Sequence, residues 1–248
     1  MSLIDGLISY YNADEASGDL MDIHGSHDLT DTNTVGSGTG ILNNARDYEL
    51  DRSEYHGITD HSDFSFVDDD FSMSVWVKPE TASPGAGGSC IFSKSASVVS
   101  GNTGDEYALG MSQFGGGSLS WTVRSASAVT QKFWNAVLTT GSWFHIVVWH
   151  DSSANVIGIN VNDGTALTAA HTTGCQDGAN NFLVGATHGG ANFFDGLIDE
   201  FGVWNKVLSS AEITQLYGSG TPPPYPFGDR TGIGLTQSKL LHRMRLVS

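Results

Sequence analysis

The stretch from Asn192 to Tyr217, NFFDGLIDEFGVWNKVLSSAEITQLY, limits what this chain can fold into more than any other. Residues Leu197 to Trp204 alternate as a strand does. One face carries Leu197, Asp199, Phe201 and Val203, and the other Ile198, Glu200, Gly202 and Trp204. Asp199 thus falls on an apolar row, where a lone carboxylate is costly, so it needs a cation, a cluster of donors or an early exit from the core. A short helix follows. Ser209 is its N-cap, Glu212 completes a capping box, and Ile213, Leu216 and Tyr217 share one face. Gly218 stops it.

The rest of the chain repeats the strand signal at intervals of about ten residues, with turn residues between. Strand character is clear over 6–12, 45–50, 55–58, 71–78 (ended by Pro79), 90–93, 107–111 and 118–123. It continues over 133–138, 143–150, 156–161 and 181–184. Asn162-Asp163-Gly164 is a good hairpin turn. Residues 30–40 read as surface loop or edge strand, and 60–70 as an acidic loop with a 3₁₀ turn at Ser62-Asp63-Phe64. With 31 Gly against 6 Pro, the class is all-β: an antiparallel two-sheet sandwich with one short C-terminal helix, spanning residues 1–218 as one domain. Residues 219–248 read as a Pro-containing linker followed by a basic tail with Arg230, Lys239, Arg243 and Arg245. That tail is a candidate for docking on its own domain, for joining a homo-oligomer, or for staying disordered.

A net charge of −16 argues against nucleic acid as a partner and is compatible with neutral polysaccharide and divalent cations. No run approaches a membrane span, and the first residues lack the regions of a signal peptide. Cys90 and Cys175 sit in no metal-ligand spacing and read as two isolated thiols, with a single bridge as the alternative.

Several motifs occur in a fixed order: GLISYYNADEASGD, DIHGSHDLT, FSMSVWVKPE, GSWFHIVVWHD, INVNDG and FDGLIDEFGVWNKVLSSAEITQLY. Together they resemble the laminin-G-like, concanavalin A-like jelly-roll family of bacterial, phage and environmental proteins, over about residues 4–218. The resemblance implies a jelly-roll sandwich that binds glycans or other surface ligands without catalysis, in an extracellular or virion setting. It also implies a structural calcium. Carried onto this chain, its ligands are the side chains of Asp22 and Asp199 with carbonyls near Gly25 and His27, an all-oxygen set of the kind calcium takes. The loop departs from the Ser-Gly-Asn-Gly-Asn form commonest in that family. Zinc on His24, His27 and an aspartate is the rival, ranked lower because the loop's Gly and Asp content favours oxygen ligands.

Glu49, Asp51 and Glu54 match the ExDxxE pattern by which concanavalin A-like endoglucanases hydrolyse glycans, a chemistry needing two carboxyls roughly 5–5.5 Å apart. Asp51-Arg52-Ser53 reads as a turn, so solvated turn charges are the stronger reading. Trp76, Trp143, Trp149 and Trp204 fall at strand positions and are assigned to packing. Trp134, His188 and Asn192 are the candidate ligand surface, since flat rings suit sugar faces. The sequence therefore favours a non-catalytic carbohydrate-binding module with calcium. A structural or decoration domain of a phage or particle comes second, and a glycoside hydrolase third.

Overall fold

The structure is a computed structural model that describes residues 2–81, 88–98, 104–112 and 118–227. In chain order the strands are β1 (Leu7–Tyr11), β2 (Thr30–Thr32), β3 (Gly36–Thr39), β4 (Asn44–Tyr48), β5 (Tyr55–Ile58), β6 (Phe71–Pro79), β7 (Ser89–Ser93) and β8 (Tyr107–Ser112). They continue as β9 (Ser118–Arg124), β10 (Val129–Val137), β11 (Phe144–Asp151), β12 (Val156–Val161), β13 (Leu167–Ala170), β14 (Phe182–Val184) and β15 (Gly196–Trp204), followed by helix α1 (Ser210–Tyr217). The pairings in both sheets are antiparallel. One sheet runs β13-β12-β11-β6-β15-β4-β3 with β1 added against β15, and the other runs β10-β9-β8-β7-β14-β5-β2. This is the expected two-sheet sandwich.

Alternation builds the core between the sheets. Met73, Val75, Val77, Ile146, Val148, Ile157 and Ile159 point inward from one sheet; Leu109, Met111, Leu119, Trp121, Val123, Phe182 and Val184 point inward from the other. Trp121 is fully buried and donates its indole N–H to Trp149 O across the core at 3.1 Å. The hairpin turn forms as read: Asn162 and Asp163 both take left-handed φ, 54° each, and β13 returns along β12. β13 itself, LTAA, carries too little apolar signal to stand out in the sequence.

The central strand β15 corrects the alternation expected of it. A bulge interrupts its pairing with β6 between Asp199 and Gly202, and Glu200 adopts φ +48°. The extra residue shifts the phase. Ile198, Phe201 and Val203 therefore face the core together, while Trp204 joins a second cluster outside the sheet. Asp199 pairs opposite Trp76, and that ring stacks on Tyr217 of α1 over the outer face. Asp199 therefore shares the outer face and does not stand in the row of Phe201 and Val203. It is nevertheless fully buried, because the turn after β3 folds over it.

The outer cluster joins Leu7, Tyr10, Val147, Trp149 and Trp204 to Leu208, Ile213 and Leu216 of the helix region. The helix carries the capping box as read: Glu212 N–H donates to Ser209 Oγ, Ser209 N–H donates to Glu212 Oε2, and Gly218 closes the end at φ +55°. The segment expected to be linker is packed as far as it is described. Tyr225 stacks on Tyr10 at 5.2 Å and Phe227 meets the same ring edge-on at 4.9 Å. The basic tail, residues 228–248, and its part in any homo-oligomer lie outside the described residues. Cys90 and Cys175 are free, buried thiols, so the bridge alternative falls.

Candidate functional site

The loop after β1 is organised around Asp22. Its Oδ1 accepts the backbone N–H groups of Tyr10, His24 and Gly25 at 3.0, 3.0 and 2.8 Å, and Oδ2 accepts that of His27 at 3.1 Å. Burial pushes this carboxyl up, but the four N–H groups outweigh burial and hold it below the ordinary aspartate value. Asp199 sits in a separate cradle. Its Oδ2 accepts from Ile41 and Leu42 at 2.8 and 3.2 Å, and its Oδ1 from Glu200 at 2.8 Å. Here burial dominates, Glu200 adds to it, and the carboxyl is pushed up to about 8. Glu200 is likewise raised to about 7 by burial, although the Tyr10 hydroxyl donates to its Oε2.

The four residues expected to share a calcium are thus divided between two amide cradles. Both aspartates already accept N–H groups at each oxygen, and the His27 carbonyl accepts the Tyr11 hydroxyl at 2.8 Å. Tyr10, whose N–H and C=O both face the Asp22 loop, pairs with Gly202, three residues along β15 from Asp199. Strand geometry puts that offset at on the order of 10 Å. This donor set does not converge on one cation.

The imidazoles of the loop separate. His24 turns to the C-terminal segment, with Nδ1 3.0 Å from the Tyr225 hydroxyl. It does not join His27 as the zinc reading required. His27 turns instead toward the acidic loop. Its Nε2 lies 2.9 Å from Asp63 Oδ2, and its Nδ1 lies 3.0 Å from Ser9 Oγ and 3.4 Å from Asp22 Oδ2. His61 packs edge-on against His27 with ring centroids 4.7 Å apart. Its Nδ1 accepts the Asp63 N–H as the N-cap of the 3₁₀ turn Ser62–Phe64. Among the described residues, His27, His61 and Asp63 are the one group whose ligating atoms all lie within 4.8 Å of one another. The sequence reading missed His61 and Asp63. Their His-x-Asp spacing was the available signal, but only the fold brings it to His27.

Glu49, Asp51 and Glu54 do not lie along one strand. Leu50–Arg52 forms a 3₁₀ turn between β4 and β5, and Ser53 takes φ +57° to close it. Glu54 is fully buried, and its Oε2 accepts the Glu49 N–H at 2.9 Å. Burial raises its carboxyl despite that bond. The acids serve the turn.

The three expected ligand residues are not brought together. Trp134, on the edge strand β10, packs against the core beside Phe144. His188 and Asn192 lie in the loop after β14, four strands away in the sheet order. His188 Nδ1 accepts the Asn181 N–H at 3.0 Å, and Asn192 Oδ1 accepts the Thr187 hydroxyl at 3.2 Å. That loop flanks a groove of about 290 Å³ on the outer face of the seven-stranded sheet, lined by Thr30, Thr32, Tyr55, Gly57, Asn181 and Leu183. Tyr55 stacks on Phe193 at the groove's edge, with ring centroids 6.4 Å apart. A second cleft of about 330 Å³ lies between Ile8, Asp63, Phe66 and Asp69.

Fold and sites together define a jelly-roll sandwich of the lectin and glucanase type. The chain belongs to the laminin-G-type family of the concanavalin A-like lectin/glucanases superfamily, whose profile matches residues 52–214. No curated protein matches the chain. Among solved structures, it is similar to domain 4 of AbnA, a GH43 extracellular arabinanase from Geobacillus stearothermophilus, in complex with arabinotriose. That likeness has TM-score 0.64 and 19% identity, covering 85% of this chain and 98% of that one. It is also similar to the binding domain of Paraclostridial Mosquitocidal Protein 1, with TM-score 0.69 and 13% identity, covering 88% and 53%. The binding domain of botulinum neurotoxin DC in complex with SialylT gives TM-score 0.67 and 15% identity, covering 88% and 52%. The chain spans about half the length of these two toxin chains.

Proposed function

We propose that this chain is a non-catalytic carbohydrate-binding module whose ligand lies in the Tyr55 groove. The observation that carries the reading is the groove's composition. A tyrosine ring already held by Phe193 stands beside Thr30, Thr32 and Asn181, over a floor formed by Leu183 lying across Gly57. A flat ring covers the apolar face of a sugar, while hydroxyl and amide groups exchange hydrogen bonds with its edge. A Cβ at Gly57 would come 2.2 Å from Leu183 Cδ2, so the absence of a side chain at Gly57 lets Leu183 lie flat across it as the groove's apolar floor. The carbohydrate-bound arabinanase domain and the SialylT-bound toxin domain support the ligand class. His188 and Asn192 shape the flanking loop, and Trp134 has a packing role. The turn geometry of Glu49, Asp51 and Glu54 supports the absence of hydrolysis. The reading suits a secreted, cell-surface or virion setting, where glycans are met. Among the described residues, no helix is long and apolar enough to cross a membrane.

The test is a glycan array that includes arabino- and sialo-oligosaccharides, scored for binding and for released reducing ends. Wild type is expected to bind without releasing ends, and Tyr55→Ala to lose at least ten-fold in affinity with its circular dichroism unchanged. Equal binding by Tyr55→Ala removes the groove from the proposal.

A further inference from the structure

His27 stands between two carboxylates. Asp22, fixed by its four amides, lies behind Nδ1, and Asp63 lies in front of Nε2. The ring can be held here in two ways: with Nδ1 accepting the Ser9 hydroxyl and Nε2–H donating to Asp63, or with Nδ1–H donating behind the ring and Nε2 left to ligate a metal. The second arrangement is the carboxylate–histidine–metal relay, in which a rigid acid orients the ligating ring and raises its basicity. Ser9 Oγ at 3.0 Å and Asp22 Oδ2 at 3.4 Å supply that support; Ser9 is buried and the Asp22 side chain is shielded from solvent. In front of the ring, His61 and Asp63 complete a set of two imidazoles and one carboxylate.

We propose that His27, His61 and Asp63 form a site for a zinc-class divalent cation. Tetrahedral zinc holds nitrogen and oxygen ligands at 2.0–2.2 Å, which sets the ligands about 3.3 Å from one another. His27 Nε2 lies 2.9 Å from Asp63 Oδ2, and His61 Nδ1, whose lone pair accepts the Asp63 N–H, lies 3.9 Å from the same oxygen. Binding therefore requires the exposed His61 ring to release that cap bond or to turn Nε2 toward the ion. The set contains two imidazoles, which suit zinc, copper or nickel and not calcium. Three protein ligands leave a fourth position for water or a ligand atom. Side chains of His61 and Asp63 are 42% and 50% exposed, so the cation can enter from solvent. Asp63 also lines the 330 Å³ cleft, which puts that cleft next to the metal. The ion would tie the first loop to the acidic loop, two segments that no strand pairing joins. This site is independent of the Tyr55 groove.

The experiment uses the untagged full chain, stripped with chelator and titrated with zinc by calorimetry, then with cobalt(II) followed by its visible absorption. One site is expected, with a tetrahedral cobalt spectrum and a higher Tm once zinc is bound. His61→Asn keeps an N-cap acceptor for the 3₁₀ turn while removing the imidazole, and Asp63→Asn removes the exposed carboxylate. Each is expected to weaken zinc at least ten-fold with metal-free Tm unchanged, and His24→Ala to leave binding unaltered. No zinc uptake by wild type, or zinc bound equally by both ligand variants, overturns the site. Should His61→Asn lose its fold, Asp63→Asn alone decides.

Discussion

Two adjacent acids, Asp199 and Glu200, are buried in the middle of the central strand, and Arg46 is the nearest basic residue in the ladder beside them, paired at Ile198. Asp199 relies on three amides and Glu200 on the Tyr10 hydroxyl, and burial raises both. The sign follows directly. A carboxyl whose folded value lies above its unfolded one contributes stability at low pH and loses it as pH rises through the folded value. The opposing histidines are His56 and His145, lowered to about 4 and 3, and His171, also lowered, all mainly by burial; they remove stability only as pH falls below their ordinary value of 6.5. Between pH 6.5 and 8 the raised acids set the slope: Asp199 and Glu200, together with Glu106, which burial raises to about 7. Tm is expected to fall across that window, and Glu200→Gln to flatten the fall. Millimolar calcium should leave the profile unchanged, because its expected ligands are divided. A calcium-dependent rise in Tm at pH 8 that chelator reverses would restore calcium at Asp199. The sequence made the awkwardness of Asp199 plain. It did not yield the bulge, because a phase shift is set by pairing with neighbours. Two consecutive acids in a strand covered on both sides were the cue, since strict alternation sends one of them into the core.

At the scale of elements, the C-terminal helix was the most legible part. Its cap, its stop and its apolar face all depend on residues within one turn of each other. Ser209→Ala removes the acceptor for Glu212 N–H and is expected to cost about 1 kcal/mol, roughly 2–4 °C in Tm by calorimetry. No change would mean that packing on Trp76 and Trp204 holds the helix without its cap. The long strands were legible for the same local reason, and the 3₁₀ turn at Ser62 was anticipated. The partnership of that turn with the Asp22 loop was not. His27 and His61 are 34 positions apart by their numbers, and a loop-to-loop contact leaves no periodicity to read. The ligand surface failed likewise. Trp134, His188 and Asn192 are residues the strand pattern leaves unexplained, and the strand order puts Trp134 four strands from the loop that carries the other two.

At the scale of the whole molecule, the sandwich class was readable because many weak strand signals agree. The domain's end was not. Pro222, Pro223 and Pro224 suggested a spacer, yet Phe227 is 6% exposed against Tyr10. Phe227→Ala is expected to cost about 3 kcal/mol, roughly 6–12 °C in Tm, whereas a free spacer would show no change. The clasp on Tyr10 also has a consequence for architecture. The first strand and the segment that leaves the sandwich meet over one ring, on the outside of the eight-stranded sheet. Entry and exit are therefore neighbours. A fold threaded this way can be spliced into a surface loop of a host protein with its two junctions close together, leaving the Tyr55 face turned away from the host.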